Sequence, residues 1–400
     1  MFIEIPQATE ANARQYRTAV SVFFFISGLG YSTWASRIPS IQQQLHLNEA
    51  QLGLVLLALP IGLMLTMPVT GKLLGSFSSR KIMVIGAMVF NLVLSLPGFT
   101  TSLWQLALTL FCFGSSRNLL NLSANSQAVQ VQHMYPKSIM TTFHGIWSIA
   151  GSAGAGIGYL MVSMQVAPSW HMLSVSLLLL VFTLYYGVRA YPDQPVPSPV
   201  KKTAFSLPGK SLLRFSFICF ACMATENTMY DWSSIYFHKV AGGTTTAATA
   251  CFMVYMGAMT LGRFAGDRLV ARMGIKNMLY YSGWLILSGL VLTIALPHPV
   301  ITAIGFICTG FGVSCIVPLV FSLAGKSRDA NSGQTLASIS TIGYLGFLIV
   351  PPLVGFVAQA THLRVSFGIM ALCGLLIVLM VRGLPEAKKE APVADTRADS

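Results

Sequence analysis

Charge is what this sequence has least of. Only 9% of its 400 residues are Asp, Glu, Lys or Arg, where soluble domains carry about 25%, so water is excluded as the main solvent of the folded chain. Acids are scarcer than bases: twelve Asp and Glu stand against twenty-five Lys and Arg, a formal net charge of +13. The seven cysteines are odd in number and lie in apolar blocks, which argues against a disulfide framework. Cys219 and Cys222 form a C-x-x-C, but no strand-helix context or second pair accompanies them, and they read as small packing residues. A phosphate-binding loop is missing as well. Gly209-Lys210-Ser211 and Gly325-Lys326-Ser327 have Ala204 and Val320 where the motif needs its first glycine. The run Gly154-Ala155-Gly156-Ile157-Gly158 lies inside an apolar block with no strand before it, so it is no dinucleotide fingerprint. Neither nucleotide nor metal nor any other cofactor is implied.

What is present is hydrophobicity, 54% of the chain, in blocks of about 20 residues, the length a helix needs to cross a bilayer core. Twelve such blocks are expected, at 18–36, 50–72, 82–100, 104–125, 139–164, 169–188, 212–237, 246–268, 277–296, 299–321, 333–357 and 365–384. They lack the period-two alternation of a membrane barrel, which leaves an all-α membrane protein as the fold class. Residues 1–17 are polar and carry Glu4 and Glu10, unlike a cleavable leader, so the first span is expected to be retained. With the N-terminus placed in the cytoplasm, twenty-one Lys and Arg fall in cytoplasmic segments and three (Arg37, Lys239 and Arg364) on the other side. That bias sets both termini in the cytoplasm and an even number of spans. The same scattered cations suit anionic lipid headgroups, and no nucleic-acid partner is expected.

Five prolines from Pro192 to Pro208 interrupt the chain and divide it. The expected organisation is an N-terminal tail (1–17), a six-helix bundle (18–190), a cytoplasmic linker (191–211), a second six-helix bundle (212–384) and a C-terminal tail (385–400). The halves echo one another. A Gly-led basic loop follows the second span of each, Gly71 to Lys81 with Arg80 in one, and Gly262 to Lys276 with Arg263, Asp267, Arg268 and Arg272 in the other. The fifth span of each is rich in glycine or proline, as Gly151, Gly154, Gly343, Gly346, Pro351 and Pro352 show. Two six-span repeats with a site near the midplane between them are a known transporter architecture.

Polar residues inside the spans are the candidates for that site. Charge at the bilayer centre is costly, so it usually faces a cavity or a partner. Of the acids only Glu226 and Asp231 fall in spans, and of the bases only Arg117 is read as well inside one. Glu226 and Arg117 each lie ~20 Å into their helices at 1.5 Å per residue, on opposite halves, and are expected to pair across the cavity. Arg117, Asn121 and Asn125 recur at i, i+4 and i+8, one helical stripe; the alternative is ordinary interhelical hydrogen bonding. Ser27, Tyr31 and Trp34 share a face of the first helix, and Tyr230 and Trp232 flank Asp231; such aromatics stack on organic rings or anchor at the interface. His144 is a second candidate for proton coupling beside Glu226. Glu226 and Asp231, five residues apart, point about 140° from each other, which argues against a hydrolytic pair and against an enzyme.

The sequence resembles the major facilitator superfamily, in its fucose-permease-like branch and within that the YbjJ-like inner-membrane proteins. Five segments carry the likeness: Trp34-Ala35-Ser36-Arg37-Ile38-Pro39; Met140 to Ser148; Glu226 with Asp231-Trp232; Gly262-Arg263-Phe264 with Gly266-Asp267; and Gly343 to Leu348 with Pro351-Pro352. The resemblance implies alternating access by two bundles, commonly proton-driven, with the first, fourth, seventh and tenth helices lining the cavity of a monomer in the inner membrane. It also implies a cytoplasmic latch at the two basic segments. The sequence departs from the family twice. Gly75 stands where the first basic loop usually has Asp, and Asn121 where the fourth helix of this branch usually has an acid. Secondary transport of a small polar organic solute is the expectation. An exporter of amphipathic compounds and a membrane sensor or scaffold of the same fold remain as alternatives.

Overall fold

The computed structural model describes residues 10–137, 139–193, 212–325 and 332–384. Both predicted tails, apart from 10–17, and nearly all of the predicted linker lie outside them. Among the described residues there are thirteen α-helices and no strand: α1 (Glu10–Gln44), α2 (Glu49–Ser76), α3 (Ser79–Leu94), α4 (Leu103–Gln132), α5 (Met140–Ser163), α6 (Pro168–Gly187), α7 (Leu213–Lys239), α8 (Thr245–Met273), α9 (Ile275–Ala295), α10 (Pro299–Val313), α11 (Ile316–Gly325), α12 (Ser332–Ala360) and α13 (Leu363–Arg382). Helices α10 and α11 are the two parts of the tenth span, so thirteen helices make twelve crossings.

Among the described residues, nine spans are long and apolar enough to cross a membrane by composition. The three that fall short, α4, α7 and α8, are also long, and they are the helices that carry Arg117, Glu226 with Asp231, and Arg263. Their low hydropathy is a consequence of facing polar partners inside the protein rather than lipid.

Helices α1 to α6 pack as one bundle and α7 to α13 as another, with matching internal partners. Helix α1 lies on α5 as α7 lies on α12, and α2 on α4 as α8 on α10. The bundles meet along two further matched seams, α2 on α12 and α5 on α8. The match extends to single residues. Arg80, second in α3, donates from Nε to the Gly187 carbonyl at 2.9 Å and from Nη2 to that of Val188 at 2.9 Å, at the end of α6. Lys276, second in α9, donates to the Leu384 carbonyl beyond α13 at 2.8 Å. In each bundle a cation therefore neutralises the carbonyl end of the last helix.

The helix ends define two faces. The basic face holds the described chain ends and the turns after α2, α4 and α8; the other is called the far face. On the far face the bundles are closed together. An added Cβ at Gly355 of α12 would stand 2.5 Å from the Glu49 carbonyl and 2.9 Å from Gly53 Cα, so the backbones of α2 and α12 touch there. Beside them Lys239 Nζ reaches Glu49 Oε1 at 2.6 Å. That exposed pair is worth at most about 1 kcal/mol, so the backbone contact is the main closure.

Candidate functional site

The polar side chains of the spans gather midway between the faces, where the bundles meet. In the N-terminal bundle Ser27 of α1 donates to Asn121 Oδ1 of α4 at 2.7 Å and accepts from Trp147 Nε1 of α5 at 3.3 Å. Asn125 turns back to the Asn121 carbonyl at 2.8 Å. The predicted α4 stripe is thus partly spent on interhelical and local hydrogen bonds. Arg117 lies over the Tyr31 ring at 3.7 Å from its centroid, close enough for a cation–π contact. Tyr31 in turn packs on Tyr230 of the opposite bundle, with 5.0 Å between centroids.

The expected pairing of Arg117 with Glu226 is corrected by the structure. Glu226 Oε1 takes Arg263 Nη2 at 3.4 Å. The charge reading assigned Arg263 to a cytoplasmic segment, but α8 continues to Met273 and stops only at Gly274, whose φ of +81° favours glycine. Ten residues of helix beyond Arg263 place it ~15 Å inside the basic face. Of the predicted latch, then, Arg263 is an intramembrane residue and Arg80 is engaged within its own bundle. Asp267, Arg268 and Arg272 are exposed along the last turns of α8, and a Cβ at Gly71 would meet open space.

Arg263 makes three further contacts. Its Nη1 donates to Ser148 Oγ of α5 at 2.7 Å, its Nε to the Ser314 carbonyl at 3.3 Å, and its guanidinium lies 5.5 Å from the Trp147 ring centre. The Ser314 carbonyl is free because Pro318, four residues on, offers no N–H and its ring crowds that oxygen. The tenth span breaks there, between Val313 and Ile316. Sequence reading missed this break, although a proline inside an apolar block was its signal. Ser152 with Thr260 at 2.9 Å, and Thr260 with the Ser148 carbonyl at 3.1 Å, continue the seam between α5 and α8.

Of the other candidates, Trp34 and Trp232 are fully buried, neither at a lipid interface, and their indole N–H groups meet no acceptor among the described residues. With Tyr230, 4% exposed and its hydroxyl also without a protein partner, they close the site toward the far face. Asp231 accepts from Asn227 one turn earlier at 3.2 Å. His144, one turn into α5, is exposed, its ring edge-on to Phe24 at 5.4 Å. The cluster is therefore covered on the far side, and Arg263 and Glu226 keep 27% and 14% of their side-chain surface exposed. No group of His, Cys, Asp and Glu among the described residues has the arrangement of a metal site.

Two bundles closing on a polar midplane cluster beside a broken helix define a membrane transporter rather than an enzyme. Residues 20–350 match the Major Facilitator Superfamily, and the chain belongs to it. An uncharacterized MFS-type transporter of Yersinia pestis is 31% identical over 380 residues, covering 94% of this chain and 98% of its own length. Among solved structures, the nucleoside transporter NupG superposes with a TM-score of 0.75 at 14% identity, over 92% of this chain and 99% of that one. The E. coli fucose:proton symporter FucP gives 0.61 at 17%, over 91% and 97%. At these identities the two structures share the fold with this chain.

Proposed function

We propose that the chain carries a small polar, hydroxyl-bearing organic solute across the inner membrane by alternating access, coupled to protons through Glu226. The basic face is cytoplasmic in this reading, and the state described is open toward it. The observation that carries the reading is Arg263. One guanidinium holds the site acid, the free carbonyl of the broken tenth span and, through Ser148, the opposite bundle. The pair is partly buried, with 27% of the Arg263 and 14% of the Glu226 side-chain surface exposed, and leaving one member of such a pair uncompensated is costly. A proton on Glu226 spares the acid that cost when Arg263 turns to solute hydroxyls, which take the guanidinium in its place, and this links proton uptake to a contact between the bundles. Arg117, Tyr31 and Tyr230 offer a cation and rings on which a sugar or base can stack. NupG, a nucleoside transporter, and FucP, a fucose:proton symporter, act on solutes of this class.

Purified protein in vesicles, with an imposed proton gradient and a set of sugars, nucleosides and organic acids outside, tests it. Accumulation of one chemical class is the expected result. Broad competition by apolar compounds would support the exporter instead, and an absence of flux for every solute would support a sensor.

A further inference from the structure

The polar cluster between the bundles holds four side chains that carry full charge when ionised, two of each sign: Arg117 of α4, Arg263 of α8, and Glu226 and Asp231 of α7. With all four ionised their formal charges sum to zero. Three of them have partners within the protein. Glu226 pairs with Arg263, and Asp231, 7% exposed, accepts from Asn227. Arg117 is the one left over. Among the described residues it has no ion pair, and its Nε is buried without an acceptor. Arg117, Asp231 and Glu226 all bear electrostatically on the Tyr31 phenol, yet neither acid reaches the guanidinium. Its side chain is half-buried, and the Tyr31 ring beneath it packs across the seam on Tyr230, so its accessible part lies where the bundles meet. The ring takes the face of the guanidinium, while the hydrogen-bond donors of that group lie in its plane, in the fork that matches a carboxylate.

A proton on Glu226 upsets the charge balance. Alone, or with a neutral solute, it leaves one positive charge in excess at the membrane centre, where uncompensated charge is costly. A monoanion entering with the proton returns the sum to zero, and a dianion would overshoot it. Resting on Glu226 as the proton site, we propose that the transported solute is a hydroxylated monocarboxylate of the sugar-acid class, its carboxylate held by Arg117. Its hydroxyls then meet Arg263 and the hydroxyls of Tyr230 and Tyr255, whose rings lie 6.2 Å apart and whose O–H groups are buried without partners among the described residues. One proton and one monoanion cross together, so transport moves no net charge.

The full-length protein in vesicles tests this by separating the two driving forces. A pH gradient, alkaline inside, with the potential clamped at zero by potassium and valinomycin, should drive accumulation of labelled D-gluconate or D-glucuronate. A negative-inside potential at equal pH should not. In detergent, gluconate should raise Tm saturably where D-glucose does not, and Arg117→Gln should weaken the gluconate response about tenfold or more, the scale of a lost hydrogen bond to a charged group. Arg117→Lys should recover part of it. The potential measurement on the wild type stands even if the glutamine variant does not fold. Accumulation of neutral sugars or nucleosides in preference to every sugar acid, uptake driven by the potential alone, or an unchanged gluconate affinity in Arg117→Gln would each overturn the anionic assignment and leave transport through this site standing. An absence of flux for every solute would overturn the transport reading itself, and this inference with it.

Discussion

Asp193 follows α6 by a few residues, in what the sequence presents as the start of a proline-rich linker, yet its carboxylate caps another helix. It accepts from Ser78 Oγ at 2.7 Å and from the backbone N–H groups of Ser79 at 2.7 Å and Arg80 at 3.1 Å, the first turn of α3. Gly75 leaves the family's usual acid out of this loop, and Asp193 brings a carboxylate to it from elsewhere in the chain. Burial alone would raise its pKa, but the hydrogen bonds from Ser78, Ser79 and Arg80 outweigh that and hold it below the ordinary carboxylate value. A depressed folded pKa stabilises the fold above the unfolded value, near 3.9, and the contribution is lost as pH falls through the folded pKa. Asp193→Asn should therefore cost about 1 kcal/mol at neutral pH, the scale of a lost helix cap. Thermal unfolding should show the gap between variant and wild type narrowing below pH 4. At the midplane, Glu226→Gln should abolish gradient-driven accumulation and leave solute exchange partly intact, since the neutral amide resembles a protonated acid. Accumulation unchanged in that variant would move the coupling role to His144. Arg117→Ala should weaken binding without changing the proton requirement, read as a raised KM for counterflow.

Among the elements, the tenth span is set apart by its break. A proline in a helix interior costs about 3 kcal/mol, and Pro318 bears this cost where its freed carbonyl receives Arg263. Pro318→Ala should let α10 and α11 join, raise Tm and slow turnover, because Arg263 loses one of its three acceptors. A variant with raised Tm and unchanged turnover would show that the break plays no part in transport. Helix α8 makes the complementary point. Its length put Arg263 inside the protein, and the polar face that lowers its hydropathy is the face that meets α5.

On the scale of the whole molecule, closure at the far face rests on two glycines. Any side chain at Gly355 or Gly53 meets backbone atoms of the facing helix, so Gly355→Val should part α2 from α12 and shift the population toward the state open at the far face. Cysteines placed at the α2 and α12 ends on that face should then crosslink more slowly and label faster. Loss of the Glu49–Lys239 pair, by Lys239→Gln, should have a smaller effect of the same sign, as expected of an exposed ion pair. Faster crosslinking in Gly355→Val would contradict the closure argument.

Twelve crossings, two halves and an all-helical fold followed from the sequence alone, because the bilayer sets the length of an apolar helix and the cost of charge spaces the spans. Ser27, Tyr31, Arg117, Asn121, Glu226 and Tyr230 stood out as candidates for the same reason: polarity within a span is rare enough to be informative. Which of them meet was not legible. A residue's depth follows from its place in its helix, but its partner depends on how helices from two halves rotate and approach, and no local pattern records that. Arg263 was assigned to a loop because its neighbours are charged, and only the packing of α8 on α5 and α7 revealed a partly buried guanidinium paired with an acid. Asp193 capping α3 and Arg37 on His171 join residues more than a hundred positions apart; the sequence supplied the donors and acceptors, and tertiary packing chose the pairs.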